Sequence, residues 1–164
     1  MMQPTTYHIA LGSNKGDKLK NLQEAVDAIH AEVGNLILIS KVYKSPAVGF
    51  ESDDFFNACL VLKSYLDPEK VLKTLLNIEK SLGRQRKKGE GYEARTIDLD
   101  IVLAEEQIID SKTLQVPHPE MQKRRFVLQP LNDSASKFKH PKLKKEVSVL
   151  LEECEDKSVL EPIK

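Results

Sequence analysis

Residues 95–103 read Arg-Thr-Ile-Asp-Leu-Asp-Ile-Val-Leu, with apolar side chains at 97, 99, 101 and 103 and polar ones at 96, 98 and 100. A period of two predicts a β-strand with one buried face. Leu19, Leu22, Val26, Ile29 and Val33 recur instead at steps of three and four, which predicts an amphipathic helix opened near Asp17 and stopped near Gly34. Val71, Leu75, Ile78 and Leu82 form a second such stripe. In front of it, Asp67-Pro68-Glu69 supplies an N-cap acceptor and a proline at the first helical position, and Gly83 closes the helix. Further strands are predicted for Tyr7 to Leu11, Leu36 to Tyr43 and Phe55 to Lys63, with a loop from Ser45 to Phe50 because Pro46 disfavours helix in its predecessor. The order is β-α-β-β-α-β, so the expected fold is α+β, a ferredoxin-like sandwich. A C-terminal extension follows, with the loop Pro117-His118-Pro119, a short helical stretch near Glu120 to Arg124 and a late helix around Val147 to Leu151. The ends, Met1 to Thr6 and Glu155 to Lys164, are expected to fray.

A length of 164 residues suits one domain, 1–164, with its own core. The 25 basic and 25 acidic residues cancel, which gives no support for general nucleic-acid or membrane affinity. Cys59 and Cys154 lie far apart without metal-like spacing, which fits a reducing compartment and argues against a disulfide scaffold. No stretch is long and apolar enough to span a bilayer, and the N-terminus lacks a signal-peptide pattern. A cytoplasmic protein, monomeric and without membrane or nucleic-acid partners, is expected.

The chemistry begins with Asp98 and Asp100. On a strand they point the same way, with Cα atoms roughly 6–7 Å apart. Asp is depleted in strands, and like charges on one face repel. Two readings offset that cost: a divalent cation shared by the carboxylates, or a solvated face paired with Lys or Arg. Mg²⁺ suits the first, since it commonly takes one or two carboxylates together with substrate phosphates. Arg84, Arg86, Lys87, Lys88 and Arg95 precede the strand. Lys87 and Lys88 read as a solvated loop, whereas Arg84 follows a helix stop and Arg95 stands at the mouth of the strand, where bidentate contacts to polyphosphate fit. No phosphate-binding glycine loop is present; Gly12 to Lys18 has the wrong spacing and reads as a turn into the first helix. Phe55 and Asn57 share one strand face, where a ring and an amide can take a flat heterocycle or simply serve the core. Glu79 lies at the edge of an apolar stripe, placed either to organise a site or to reach solvent. His118 can donate to phosphate or cap the next turn.

Together these residues resemble the 6-hydroxymethyl-7,8-dihydropterin pyrophosphokinases of folate biosynthesis. The resemblance runs from about Tyr7 to Leu131. It is carried by Ala10-Leu11-Gly12-Ser13-Asn14, Ser45-Pro46, Phe56-Asn57-Ala58, and Glu79 followed by Arg84 and Arg86. Arg95 to Ile101, Val116-Pro117-His118-Pro119 and Arg124 to Leu131 complete it. It implies transfer of the β,γ-diphosphate of ATP to the pterin hydroxymethyl group, releasing AMP. Two Mg²⁺ ions on Asp98 and Asp100 are implied, with Arg84, Arg95, Asp98 and Asp100 catalytic. The pterin site implied is Ser45, Pro46, Ala47, Val48, Phe55, Asn57, Asp98 and Phe126, with the pterin between the two rings. The ATP site implied is Glu79, Arg84, Arg86, Tyr92, Arg95, Ile101, His118 and Arg124. The loop from Arg84 to Glu93 is implied to close as a lid. Phe55 stands where some members have tyrosine, Tyr92 where tryptophan is frequent, and Leu76 where a glutamine can contact nucleotide. Residues 132–164 receive no function.

Two other classes share this pattern. An RNA-recognition domain has the same element order, but it needs a basic, aromatic sheet face, and here that face carries Asp98 and Asp100. A scaffold that binds nucleotide without turnover would not need the intact Asp and Arg positions.

Overall fold

Both long helices begin where an aspartate satisfies a free backbone N–H. Asp17 accepts from Lys20 N–H at 3.2 Å and opens α1 (Lys18–Glu32), and Asp67 accepts from Lys70 N–H at 2.9 Å and opens α2 (Pro68–Ser81). These details come from a computed structural model, which describes residues 3–45, 54–83 and 96–163. The strands are β1 (Thr5–Ser13), β2 (Asn35–Ile39), β3 (Val42–Ser45), β4 (Phe55–Ser64) and β5 (Asp98–Ala104). Then come a two-residue hairpin, β6 (Ile109–Asp110) and β7 (Gln115–Val116), α3 (Arg125–Ala135), α4 (Val147–Glu153) and β8 (Glu161–Ile163). The fold is mixed, with an antiparallel main sheet and four α-helices among the described residues.

The sheet order is β5-β1-β4-β3-β8, with β2 also paired to β4. β1 therefore lies between β4 and β5, which are distant in sequence. Gly34 lets the chain leave α1 against β4, since a Cβ there would collide with the Lys63 carbonyl. One face of the sheet, with Tyr7, Ile9, Leu11, Leu60, Leu62, Leu99 and Ile101, packs on α1 and α2. The opposite face packs Cys59, Val102 and Leu103 against Val127, Leu128 and Leu131 of α3 and Val147 and Leu150 of α4.

Three expectations from sequence are corrected. The strand expected over Leu36 to Tyr43 is two strands, because at Ser40 the side-chain hydroxyl accepts Cys59 N–H at 2.9 Å in place of a backbone carbonyl. Helix α3 was not foreseen, since Pro130 inside it reads as a breaker; buried Pro130 and Leu131 show packing overriding that penalty. The C-terminal segment does not fray over its described length: β8 pairs with β3, Val42 opposite Ile163 and Lys44 opposite Glu161. At the other end, Thr5 and Thr6 already belong to β1.

Candidate active site

Register fixes the site. Asp98 stands opposite Gly12, Gly12 opposite Asn57, and Asn57 opposite Tyr43, so one row crosses β5, β1, β4 and β3. Asp100 stands opposite Ala10 in the parallel row two residues away. Residues directly opposed or two apart share a face. Asp98, Asp100, Gly12, Phe55 and Asn57 therefore lie on the face that α3 covers only in part. Both aspartates are half-buried, while Leu99 and Ile101 on the other side of the strand are each 3% exposed. The alternation read from sequence is the one observed.

Glu79 explains how β5 is held. It is 3% exposed, and its Oε2 accepts Leu99 N–H at 2.7 Å. Leu99 lies between the two aspartates, on the edge of β5 that faces away from β1. A carboxylate on α2 thus occupies a backbone donor that an edge strand would leave open, and it sets the pitch of the strand between Asp98 and Asp100. Of the two readings of Glu79, burial and this bond select the organising one.

Asn57 is buried, and its Nδ2 donates to the Ser45 hydroxyl at 2.7 Å, which fixes the amide orientation. Sequence reasoning missed why position 12 is glycine. A Cβ there would stand 3.0 Å from Asn57 Oδ1 and 3.7 Å from the Phe55 ring, so glycine is what lets Asn57 and Phe55 approach the β1 backbone this closely. The available signal was a glycine inside a strand, hidden because the strand was expected to end at Leu11 whereas β1 runs to Ser13.

His118 Nδ1 accepts Glu120 N–H at 3.1 Å, which leaves the proton on Nε2 as a donor. Burial and then the Arg124 charge push the His118 pKa below its ordinary value, against the pull of Asp98 and Glu120. A neutral imidazole near an arginine and an aspartate results. The Arg124 guanidinium lies 5.8 Å from the centre of the Phe126 ring, and both residues sit at the start of α3. Ile101 turns its side chain into the core, so only its backbone can serve a ligand. Pro46, Ala47, Val48, Arg84, Arg86, Tyr92 and Arg95 lie outside the described residues.

Among the described residues no group of three or more His, Cys, Asp or Glu side chains could hold an ion. Two carboxylates two residues apart on one half-exposed face remain, and they fit a hard cation that fills its other positions with water and phosphate oxygens. Cys59, on the same face, is no ligand in this form: burial pushes its thiol up to about 12. No helix among the described residues is long and apolar enough to cross a membrane.

Comparison with known proteins gives the same direction. The family model of 7,8-dihydro-6-hydroxymethylpterin-pyrophosphokinase (HPPK) matches residues 8–136. A 2-amino-4-hydroxy-6-hydroxymethyldihydropteridine pyrophosphokinase of Porphyromonas gingivalis is 39% identical over 137 residues, 82% of this chain and 92% of its own. The protein of that name from Aquifex aeolicus is 35% identical over 158 residues, 96% of this chain and 94% of its own. Among solved structures, wild-type Plasmodium falciparum HPPK-DHPS matches with a TM-score of 0.74 at 15% identity over 92% of this chain, a likeness of fold alone. This chain spans 44% of that longer one. With 8–136 matched by the family model and relatives this similar along most of their length, the chain belongs to the 7,8-dihydro-6-hydroxymethylpterin-pyrophosphokinase family.

Proposed function

We propose that this chain transfers the β,γ-diphosphate of ATP to the hydroxymethyl oxygen of 6-hydroxymethyl-7,8-dihydropterin, a step of folate biosynthesis that yields AMP and the pterin diphosphate. The observation that carries the reading is the row Asp98–Gly12–Asn57, which sets a carboxylate and a fixed amide on one sheet face with only a glycine between them. Asn57, held by Ser45, reads the pterin edge, and Phe55 and Phe126 stack on its faces. The pterin hydroxymethyl group is then directed along the row toward Asp98. ATP binds from the β5 side. Leu99 N–H points away from β1 to Glu79, and by ladder alternation the backbone of Ile101 faces that edge too, where it can pair with adenine. His118 Nε2–H and the Arg124 guanidinium donate to phosphate oxygens.

Asp98 and Asp100 would hold two Mg²⁺ ions, which when bound would supply positive charge to the phosphate oxygens and the attacking alcohol. The alcohol oxygen bonds to the β-phosphorus as the bond from that phosphorus to the α,β-bridging oxygen breaks. The bridging oxygen leaves with AMP. By the family resemblance, Arg84 and Arg95 would stabilise the charge on the transferring group, Arg86 and Tyr92 would serve ATP, and Pro46, Ala47 and Val48 would serve the pterin. Glu79 acts through Leu99 rather than on the nucleotide. The fold is read as ferredoxin-like, supported by the central place of β1 between β4 and β5, with α3, α4 and β8 as its C-terminal extension. One domain over 1–164, acting as a monomer in the cytoplasm, completes the reading.

The test is product analysis. Incubated with ATP, Mg²⁺ and the hydroxymethyl dihydropterin, the chain should release AMP in step with pterin diphosphate, and a label on the β-phosphate should end in the pterin product. ADP as the nucleotide product would reject diphosphoryl transfer.

A further inference from the structure

The tail after α4 reaches both walls of the site. Helix α3 begins at Arg125, and its N-cap residue, Arg124, supplies no side-chain cap. The missing acceptor comes from elsewhere in the chain: Asp156 Oδ2 takes Arg125 N–H at 3.2 Å. Asp156 is itself fixed. Its Oδ1 accepts Ser158 N–H at 3.0 Å and the Ser158 hydroxyl at 2.5 Å, and Arg125 Nη1 donates to the carbonyls of Asp156 at 3.3 Å and Leu151 at 3.4 Å. Burial pushes the Asp156 pKa up, but the Ser158 and Arg125 contacts outweigh it and hold the carboxyl below its ordinary range. Cys154 and Leu160 are buried on either side and anchor the segment. The tail then enters β8, where Pro162 stands opposite Tyr43 in the row that continues to Asn57, Gly12 and Asp98.

We propose that Asp156 is a positioning residue for diphosphate transfer, capping α3 from the tail and so fixing Arg124 and Phe126 over the reacting groups. The inference rests on the reaction proposed above. Arg124 and Phe126 flank the capped residue, so the direction of the first turn of α3 decides where a cation and a ring stand relative to the sheet. Neither side chain is held by a cap of its own helix. The tail also pairs with β3, which ends at Ser45, so one short segment ties the helix wall to the strand wall.

The experiment uses the full chain as Asp156→Ala, Asp156→Asn and Ser158→Ala, assayed well below each melting temperature. Three readouts are taken: kcat, KM for each substrate, and amide hydrogen exchange over the first turn of α3. Asp156→Ala should raise the pterin KM and lower kcat by about tenfold each, as small displacements of positioned groups do. Asp156→Asn keeps an acceptor oxygen and should stay within about threefold of wild type, with Ser158→Ala between the two. Exchange should quicken in the same order. A folded Asp156→Ala chain that melts lower but keeps kcat and both KM values overturns the proposal. If Asp156→Ala does not fold, unchanged KM values in Ser158→Ala despite faster exchange overturn it equally. A wild-type chain that releases no AMP overturns the reaction itself and the positioning role with it; an active wild type with a kinetically silent Asp156→Ala overturns the positioning role alone.

Discussion

Leu11, Leu60 and Leu99 on one face of the sheet are buried to 3% exposure or less, whereas on the other face Gly12, Phe55 and Asp98 lie beyond the cluster that α3 and α4 cover. The same three strands carry both sets. Two helices cover the first face, and its side chains form the main core. On the second face Cys59, Val102 and Leu103 pack against α3 and α4, while Asp98, Asp100 and Phe55 stay partly exposed. A like-charged aspartate pair, a glycine without packing value and a buried amide would all weaken a sealed face. Their concentration beside the partly exposed aspartates is why the proposed site is placed there.

That contrast can be broken most forcefully at Asp100. Asp100→Ala should lower turnover by about a thousandfold or more, because it removes a cation ligand. Ordinary turnover with Mg²⁺ and ATP in this variant would end the metal assignment. On the sealed face the opposite pattern is expected. Leu62→Ala should destabilise the fold by about 3 kcal/mol in urea titration, with KM and kcat of the folded fraction retained. A kinetic defect there would mean that the two faces are coupled.

A third test probes the covered part of the second face. His8 is buried against Phe138, with ring centres 5.8 Å apart, and burial pushes its pKa down to about 4. Above pH 6.5 the imidazole is neutral in both folded and unfolded chains. As the pH falls below 6.5, the unfolded chain takes up a proton that the fold refuses, so stability drops until about pH 4. By pH 5.5 the loss from His8 is about 1.4 kcal/mol. His118 and His140, whose pKa values are also lowered chiefly by burial, act in the same direction. Urea midpoints at pH 7 and 5.5 measure this, and a His8→Leu chain as acid-sensitive as wild type would locate the proton elsewhere. The smallest effect is expected at Gly12. Gly12→Ala places a methyl group 3.0 Å from Asn57 Oδ1 and should raise the pterin KM about fivefold with ATP affinity unchanged.

The sequence showed a good deal of this. Alternation over 97–103 revealed the strand and the common direction of Asp98 and Asp100, and Asp17 and Asp67-Pro68 marked the two helix starts because capping is a local matter. Glu79 was visible as an anomaly on an apolar stripe, but its partner, Leu99 N–H, lies 20 residues away and emerges only when α2 packs on β5. Ser40 gave no sign that it would interrupt a strand, since that depends on which carbonyl Cys59 N–H fails to find. Helix α3 was concealed by Pro130, whose local penalty is overcome by burial.

What the amino-acid order determined by itself was therefore every feature whose cause lies within a few residues: periodicity, caps, stops and the facing of neighbouring side chains. Only the tertiary structure decided which strands became neighbours, that glycine would stand between Asn57 and Asp98, and that Asp156 would cap a helix 31 residues earlier. The reason is physical. Local preferences act through backbone torsions and adjacent side chains, whereas pairing and burial bring together groups whose separation along the chain carries no record of their distance in space.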